Sequence, residues 1–319
     1  MAESRQKVSA QDLPTQQQAD SMSTQQSQAN QEHTVQELVE LLNLETIEHN
    51  LFRGQNCDIG GRSVFGGQVI GQALIAALRT LDENRLTHSL HAYFLRPGDM
   101  RAPIVYEVAR IRDGGSFTTR SVIAIQHGEA IFSMSASFHR AEKGLEHQLS
   151  QMPDVPPPEN LESEHQIRCR MANRIDERVR ALFLQLRPIE IRPIDPVDLF
   201  NPEPRDPIKQ LWFRVPQTLG DNRGLHHAIL AYASDFALLG TGMLPHGLSF
   251  VDPNVHAASI DHAIWFHQPF RVDEWLLYAM ESPCAGQARS YNRAQIFTRD
   301  GRLVASVCQE GLMRARRRI

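Results

Sequence analysis

Apolar residues recur at helical and at strand spacing along this chain, and the order of the two periods is used twice. Val35, Leu38, Val39 and Leu42 fall at helical spacing behind Thr34-Val-Gln-Glu37, a capping-box pattern, so a first helix is expected to start there. An extended stretch, 51–56, leads into Gly60-Gly61. Phe65-Gly-Gly-Gln68 then opens a helix running to about Leu81; its Gly71, Ala73, Ala76 and Ala77 carry little bulk, which suits a helix lying close against a sheet that wraps it. Four strand-like runs follow at 89–94, 104–112, 117–126 and 130–138, with turn chemistry at Asp113-Gly-Gly115 and His127-Gly128. A helix followed by an antiparallel meander is an α+β pattern.

The same order returns after residue 208: a strand at 210–215, a helix from Leu225 to about Leu239, and strands at 258–266, 275–282, 288–298 and 303–312. Sliding one half on the other by about 172 residues brings Pro97 onto Pro269, and one extra residue near Asp300 then aligns Gly128 with Gly301. A repeat of this length is a duplicated domain, not a solenoid unit. Between the copies, Pro153 to Glu162 is proline-rich and acidic, and 164–185 sets Ile167, Met171, Ile175, Val179 and Leu182 at helical spacing. The expected organisation is a leader at 1–33, a first domain at 34–140, a linker with one helix at 141–207 and a second domain at 208–319. The leader is rich in Gln and Ser and too poor in large apolar side chains to offset its ordering entropy, so disorder is expected there.

Composition narrows the function classes. The chain has 319 residues and a net charge of -4, which implies no broad basic surface for nucleic acid, and Arg314-Ala-Arg-Arg-Arg318 reads as a short solvated tail. The four cysteines form no C-x-x-C or zinc-like spacing and read as free thiols in a reducing compartment. The best candidate for a membrane span, 227–244, is interrupted by Asp235 and glycines, and the first residues lack the apolar core of a signal peptide. A cytoplasmic location without stable membrane insertion is expected. No G-x-S-x-G, G-x-G-x-x-G or P-loop pattern occurs, so a nucleophile elbow and nucleotide-binding readings fall away.

A polar set able to act on water occurs only in the second copy. Asp235, read as lying within the second-copy helix, has Ala231, Tyr232, Leu238 and Leu239 as its i±3 and i±4 neighbours. A carboxylate on so apolar a face is costly unless hydrogen-bonded or functional. Gln309 continues the strand face of Leu303, Ala305 and Val307, which should point inward, so its amide needs partners; the matching first-copy position is about Ala136. Ser259, read as the start of its strand, offers a hydroxyl that donates and accepts, and Thr87 matches it in the first copy. Each of the three also has an ordinary structural reading, as a capped or satisfied core residue. Gly66 and Gly67, at the start of the first-copy helix, let a ligand approach free backbone N–H groups, or serve tight packing. His226-His227 lack the H-E-x-x-H context of a metal site. Asp261 and His262 sit beside Ser259, where they could contact CoA or the catalytic set, but are left outside it, and Arg96 and Arg293 suit phosphate binding or plain solvation.

Several stretches, in order, carry a family resemblance: Ser63-Val-Phe-Gly-Gly-Gln-Val69, His91-Ala-Tyr-Phe-Leu-Arg-Pro-Gly-Asp99, Tyr232-Ala-Ser-Asp235, Ile260-Asp-His-Ala-Ile-Trp-Phe-His267, Glu274-Trp-Leu-Leu-Tyr278 and Val304-Ala-Ser-Val-Cys-Gln-Glu-Gly311. Over roughly residues 35–314 the chain resembles the acyl-CoA thioesterase II family. The resemblance implies an α+β double hotdog, in which each half is a helix wrapped by an antiparallel sheet. It implies hydrolysis of fatty acyl-CoA, palmitoyl-CoA among them, without metal or organic cofactor, and dimers or tetramers of the double unit. It also implies a catalytic set of Asp235, Ser259 and Gln309 that activates water, with Ser259 standing where the family commonly has Thr. A hydratase or dehydratase of acyl thioesters and a non-catalytic acyl-CoA-binding protein are the alternatives; the first would usually pair its acid with a histidine near the thioester.

Overall fold

The computed structural model describes residues 30–82 and 84–315. Helix α1 spans 30–42. It is under way before Thr34, whose hydroxyl donates to the Gln31 carbonyl (2.8 Å) instead of capping, so residues 30–33 are helical and not part of a disordered leader. The remainder of that leader, 1–29, and the last residues of the basic C-terminal run, 316–319, lie outside the described residues. The first copy continues with β1 (Glu45–Glu48), β2 (Leu51–Gly54), α2 (Gly66–Leu78), β3 (Leu86–Phe94), β4 (Ile104–Asp113), β5 (Phe117–Gln126) and β6 (Glu129–His139).

The expected single linker helix is two, α3 (Glu164–Met171) and α4 (Glu177–Leu184). Ile175 is extended (φ -103°, ψ 136°) between them, and Asp176 caps α4 by accepting from the Arg178 N–H at 3.0 Å. Periodicity ran through the break because the apolar spacing is kept on both sides of it. Nor is the linker a bare connector. It adds β7 (Glu190–Pro193) to the sheet beside the second copy's first strand. Its earlier part lies across the second copy: Trp212 donates its indole N–H to the Pro156 carbonyl (2.9 Å), and Met152, Val155 and Leu161 pack on Trp212, Leu277 and Phe297.

The second copy comprises β8 (Ile208–Arg214), α5 (Arg223–Ser234), the short α6 (Leu238–Thr241), β9 (Val255–Ser259), β10 (Asp261–Phe266), β11 (Leu276–Gly286), β12 (Arg289–Thr298) and β13 (Leu303–Ala315). By length and composition Arg223–His246 is apolar enough to cross a membrane, but an 18-residue stretch of it is 83% buried inside this protein, and it is interrupted at Asp235, where α5 ends, and at Ala237 with a left-handed φ of 67°. Its first part, α5, is the core helix of the second copy.

All strands join one 13-stranded antiparallel sheet in the order β1-β2-β4-β5-β6-β3-β10-β13-β12-β11-β8-β7, with β9 also paired to β13. The duplication is visible in the turns: Gly128 (φ 79°) and Gly301 (φ 86°) close equivalent hairpins in the left-handed region that glycine tolerates. The copies meet where β3 pairs with β10, Leu90 opposite Ile264. Inside the sheet α2 and α5 lie against each other. A Cβ on Gly71 would stand 3.2 Å from the Ala228 carbonyl oxygen, and one on Gly67 would run into the Tyr232 carbonyl. The small residues of α2 thus serve a helix–helix joint as well as the sheet. Ile70, Leu74, Leu90, Ile229, Ile264 and Val307 belong to one core shared by both copies. This is the α+β double hotdog expected from the sequence.

Candidate active site

Asp235 is not within a helix; it is the residue on which α5 ends. The Ser234 hydroxyl bonds back to the Ala231 carbonyl (2.8 Å), the Tyr278 hydroxyl donates to the Ser234 carbonyl (2.7 Å), and the left-handed Ala237 turns the chain away. Helical spacing carried past this point because Leu238 and Leu239 resume it in α6. The Asp235 side chain is only 6% exposed. Its place at the negative end of α5 is unfavourable for a carboxylate, and the start of α2, packed against it, supplies the opposite partial charge.

Gln309 is fully buried on β13, and its Nε2 donates to Asp235 Oδ1 at 2.6 Å. Ala305 and Val307 share its inward face as expected, whereas Leu303 packs with the Trp212 cluster instead, beyond a register shift opposite Ile296 and Phe297. Ser259 stands at the end of β9 and not at the start of a strand. The chain breaks at Ile260, whose N–H bonds Glu310, while Asp261 Oδ1 takes the Glu310 N–H at 2.6 Å. Ser259 Oγ lies 3.0 Å from Gln309 Nε2 and 3.4 Å from Asp235 Oδ1, the second distance being long for a hydroxyl donor. Both recorded side-chain bonds to Asp235 fall on Oδ1.

Oδ2 faces α2. A Cβ on Gly66 would lie 2.6 Å from Asp235 Oδ2 and 2.8 Å from the Phe94 ring, so glycine is needed for this approach. Phe65 precedes α2 and no side chain caps it, and among the described residues the Gly66 and Gly67 N–H groups donate to nothing. Two free amides at a positive helix end therefore stand beside the carboxylate. All five residues singled out in the sequence meet here, brought together from α2, the end of α5, β9 and β13.

His262, left outside the set on sequence grounds, belongs with it: alternation with the buried Ile264 and Phe266 on β10 places it inward by the same rule that found Gln309. Its Nδ1 lies 3.1 Å from Gln309 Nε2 and its Nε2 lies 2.8 Å from Ser234 Oγ. Burial pushes its pKa down to about 4, so the imidazole is neutral near pH 7. The other polar candidates have structural roles. His226 bonds Gly220 and Val272; His227 is stacked on Phe266 and Phe270, with burial pushing its pKa down to about 3. Arg96 pairs with Glu129 and Arg293 with Glu281 at the surface.

The duplication creates a mirror image of this joint. There the start of α5 meets the end of α2: a Cβ on Gly224 would lie 3.2 Å from Leu78 Cδ1. A leucine stands opposite this helix start, Asn222 Oδ1 caps it by accepting the Leu225 N–H (3.1 Å), and Ala136 occupies the strand position matching Gln309. Only the first of the two joints sets a carboxylate against an uncapped helix start.

Behind the site, the rings of Phe65, Tyr232 and Phe236 cluster with centroids 4.5–5.5 Å apart. Phe65 adjoins Gly66 and Phe236 adjoins Asp235. Beyond Tyr232 opens a small cavity of about 40 Å³, walled by Leu38 and Leu41 of α1, by Ile59, and by Leu182 and Leu186 from the linker, with Glu37 and Arg187 also on its lining. The buried Gln68 and Gln72 of α2 bond the Gln55 carbonyl, and Gln68 also takes the Cys57 N–H, which holds the segment before Ile59 in place.

Two family models match the chain: one described as acyl-CoA thioesterase at residues 180–312, and one described as acyl-CoA thioesterase N-terminal domain at 53–139. The first begins within α4, inside what the sequence suggested was linker. The human acyl-coenzyme A thioesterase 8 is 40% identical over 86% of this chain and 88% of its own length. The Haemophilus influenzae acyl-CoA thioesterase 2 is 41% identical over 87% of this chain and 96% of its own. Among solved structures, an acyl-CoA thioesterase II from Mycobacterium marinum superposes with a TM-score of 0.71 at 43% identity, covering 88% of this chain and 98% of that one.

Proposed function

The chain belongs to the acyl-CoA thioesterase II family and hydrolyses acyl-CoA to free fatty acid and CoA, and on that premise we propose that Asp235 is its general base. The observation that carries this reading is the asymmetry of the carboxylate. Oδ1 is held by Gln309 and approached by Ser259, while Oδ2 faces the uncapped start of α2. A water at Oδ2 gives a proton to the carboxylate as its oxygen bonds the thioester carbonyl carbon. The carbonyl oxygen becomes an oxyanion beside the Gly66 and Gly67 N–H groups, donors that need no reorganisation. When the tetrahedral species collapses, the C–S bond breaks and the CoA sulfur takes the proton back from Asp235. The acid–histidine pairing of a hydratase is not supported, because both His262 nitrogens are engaged, by Gln309 and by Ser234.

Thiol release from an acyl-CoA series tests the set. Gln309→Ala is expected to lower kcat on the order of 10²-fold, because the base loses the group that aligns it, with thermal stability measured alongside. Wild-type kcat in that variant would move the water-activating group elsewhere.

The small cavity beyond Tyr232, about 40 Å³, supports a direction for the acyl chain and not a preference for long ones. A carbonyl seated between Gly66 and Asp235 has Phe65 and Phe236 at its back, and the chain then continues past Tyr232 between α1 and the linker. Leu186→Trp, which fills that space, is expected to lower kcat/KM for palmitoyl-CoA on the order of 10-fold while leaving butyryl-CoA near wild type. Equal changes for both substrates would place the acyl chain in another direction.

A further inference from the structure

We propose that His262 and Ser234 form a positioning relay that holds the Gln309 amide with its nitrogen toward Asp235; this rests on the water-activation reading above. The direction of every bond in the relay follows from one fixed end. The Ala231 carbonyl can only accept, so Ser234 Oγ spends its proton there, at 2.8 Å. Ser234 Oγ must then accept at its other contact, from the His262 Nε2–H at 2.8 Å. His262 therefore carries its proton on Nε2 and presents a bare Nδ1 to Gln309. A bare Nδ1 accepts, so the Gln309 atom 3.1 Å away is the amide nitrogen and not its oxygen.

That assignment settles what faces Asp235. The same nitrogen reaches Asp235 Oδ1 at 2.6 Å with its second proton, which Ser259 Oγ, 3.0 Å away, can only share. An amide turned over would set its oxygen against both a carboxylate oxygen and a bare imidazole nitrogen; the orientation kept leaves Oε1 buried without a partner among the described residues, which costs less than those two repulsive contacts. His262 thus does for Gln309 what Gln309 does for Asp235. The relay is sealed: His262 is fully buried, as are Ser234 and Gln309. The neutral imidazole that the relay needs agrees with the lowered pKa of His262, for which burial is the main cause. His262 and Ser234, both fully buried, reach the base only through Gln309. Their effect is on the orientation of the base and on which carboxylate oxygen is left free, so it should appear in turnover and not in substrate affinity.

The test compares kcat and KM for His262→Asn, His262→Leu and Ser234→Ala, each alone and in the Gln309→Ala background, with thermal unfolding for every variant. Asn sets an acceptor oxygen near the place of Nδ1, whereas Leu fills similar space without one. His262→Leu is expected to lose on the order of 10- to 100-fold in kcat with KM little changed, and His262→Asn to recover most of that loss. In the Gln309→Ala background both should cost almost nothing more, since the group they align is gone. Equal losses in folded Asn and Leu variants, or losses that add in full to that of Gln309→Ala, would overturn the relay. Should His262→Leu fail to fold, Ser234→Ala carries the comparison. It leaves the imidazole in place but frees its tautomer, and is expected to lower kcat several-fold alone and not at all beside Gln309→Ala. Wild-type kcat in Ser234→Ala, or a loss that persists without Gln309, would count against the relay. The two ideas fail differently: an active Gln309→Ala sinks the water-activation reading, whereas an impaired Gln309→Ala with an active His262→Leu sinks only the relay.

Discussion

Asp235→Asn should lower kcat by about 10²- to 10⁴-fold, the range that general-base help supplies, and leave the melting temperature at or above that of the wild type. The amide has the shape of the carboxylate. With its oxygen at the Oδ1 position it still accepts from Gln309 Nε2, so the local geometry survives. What it cannot do is take a proton from water at the Oδ2 position. Folding should not suffer, because the substitution removes a charge that is almost wholly buried and sits at the unfavourable end of α5. Thiol release at saturating acyl-CoA, together with a thermal melt, decides the matter. A kcat within about threefold of wild type would rule out Asp235 as the base, since general-base contributions are larger than that. A large fall in melting temperature would make it a structural carboxylate.

Gly66→Ala is expected to cost on the order of 10²-fold in kcat, because a displacement of about 1 Å at a reacting group has an effect of that size. The added methyl would begin 2.6 Å from Asp235 Oδ2 and 2.8 Å from the Phe94 ring, so either the carboxylate or the start of α2 must move. Both movements part the base from the two amides. The neighbouring glycine answers to another contact, the Tyr232 carbonyl on α5, and so reports on the helix–helix joint. Kinetics and melts of the two alanine variants separate the roles: turnover should fail first at 66 and stability first at 67. A Gly66→Ala enzyme with wild-type turnover would show that the acyl group does not sit at this helix start.

Much of this architecture was legible because duplicated patterning carries its own control. The four strands after α2 were readable from alternation and turn residues, as were the last three after α5, and Gly128 and Gly301 do occupy matching left-handed turns; the run at 258–266 is instead two strands, β9 and β10, parted at Ile260. Gln309 was legible as a polar residue on an apolar strand face. His262 obeyed the same rule but stood next to Asp261 and Ser259, which drew attention to sequence neighbours and away from the face shared with Ile264 and Phe266. The exit of the chain at Asp235 was hidden because leucines continue the helical spacing after it; the stop comes from Tyr278 and from Ala237, through contacts that periodicity does not register. The linker misled for a similar reason. Its prolines signal irregular backbone truthfully, but not that the backbone lies on Trp212 or contributes β7. The pairing of β3 with β10 is a choice of partner among several apolar strands, and no local pattern names it.

The two mirror joints of the duplication have different obligations. At the joint between α5's start and α2's end, the helix is capped by Asn222 and faces Leu78, which is what stability alone would select. At the other, the helix start is uncapped, a carboxylate is buried against it, and both glycines are pinned by contacts. A symmetric pair of identical subunits would have to carry those unfavourable features twice, because any change to one joint would be copied into its twin. Joining the copies in one chain removes that tie. The idle joint is free to drift toward tighter packing, and the stability it gains offsets what the working joint gives up. Substitutions that strengthen this protein without touching its chemistry should therefore be found disproportionately around Asn222, Gly224 and Leu78.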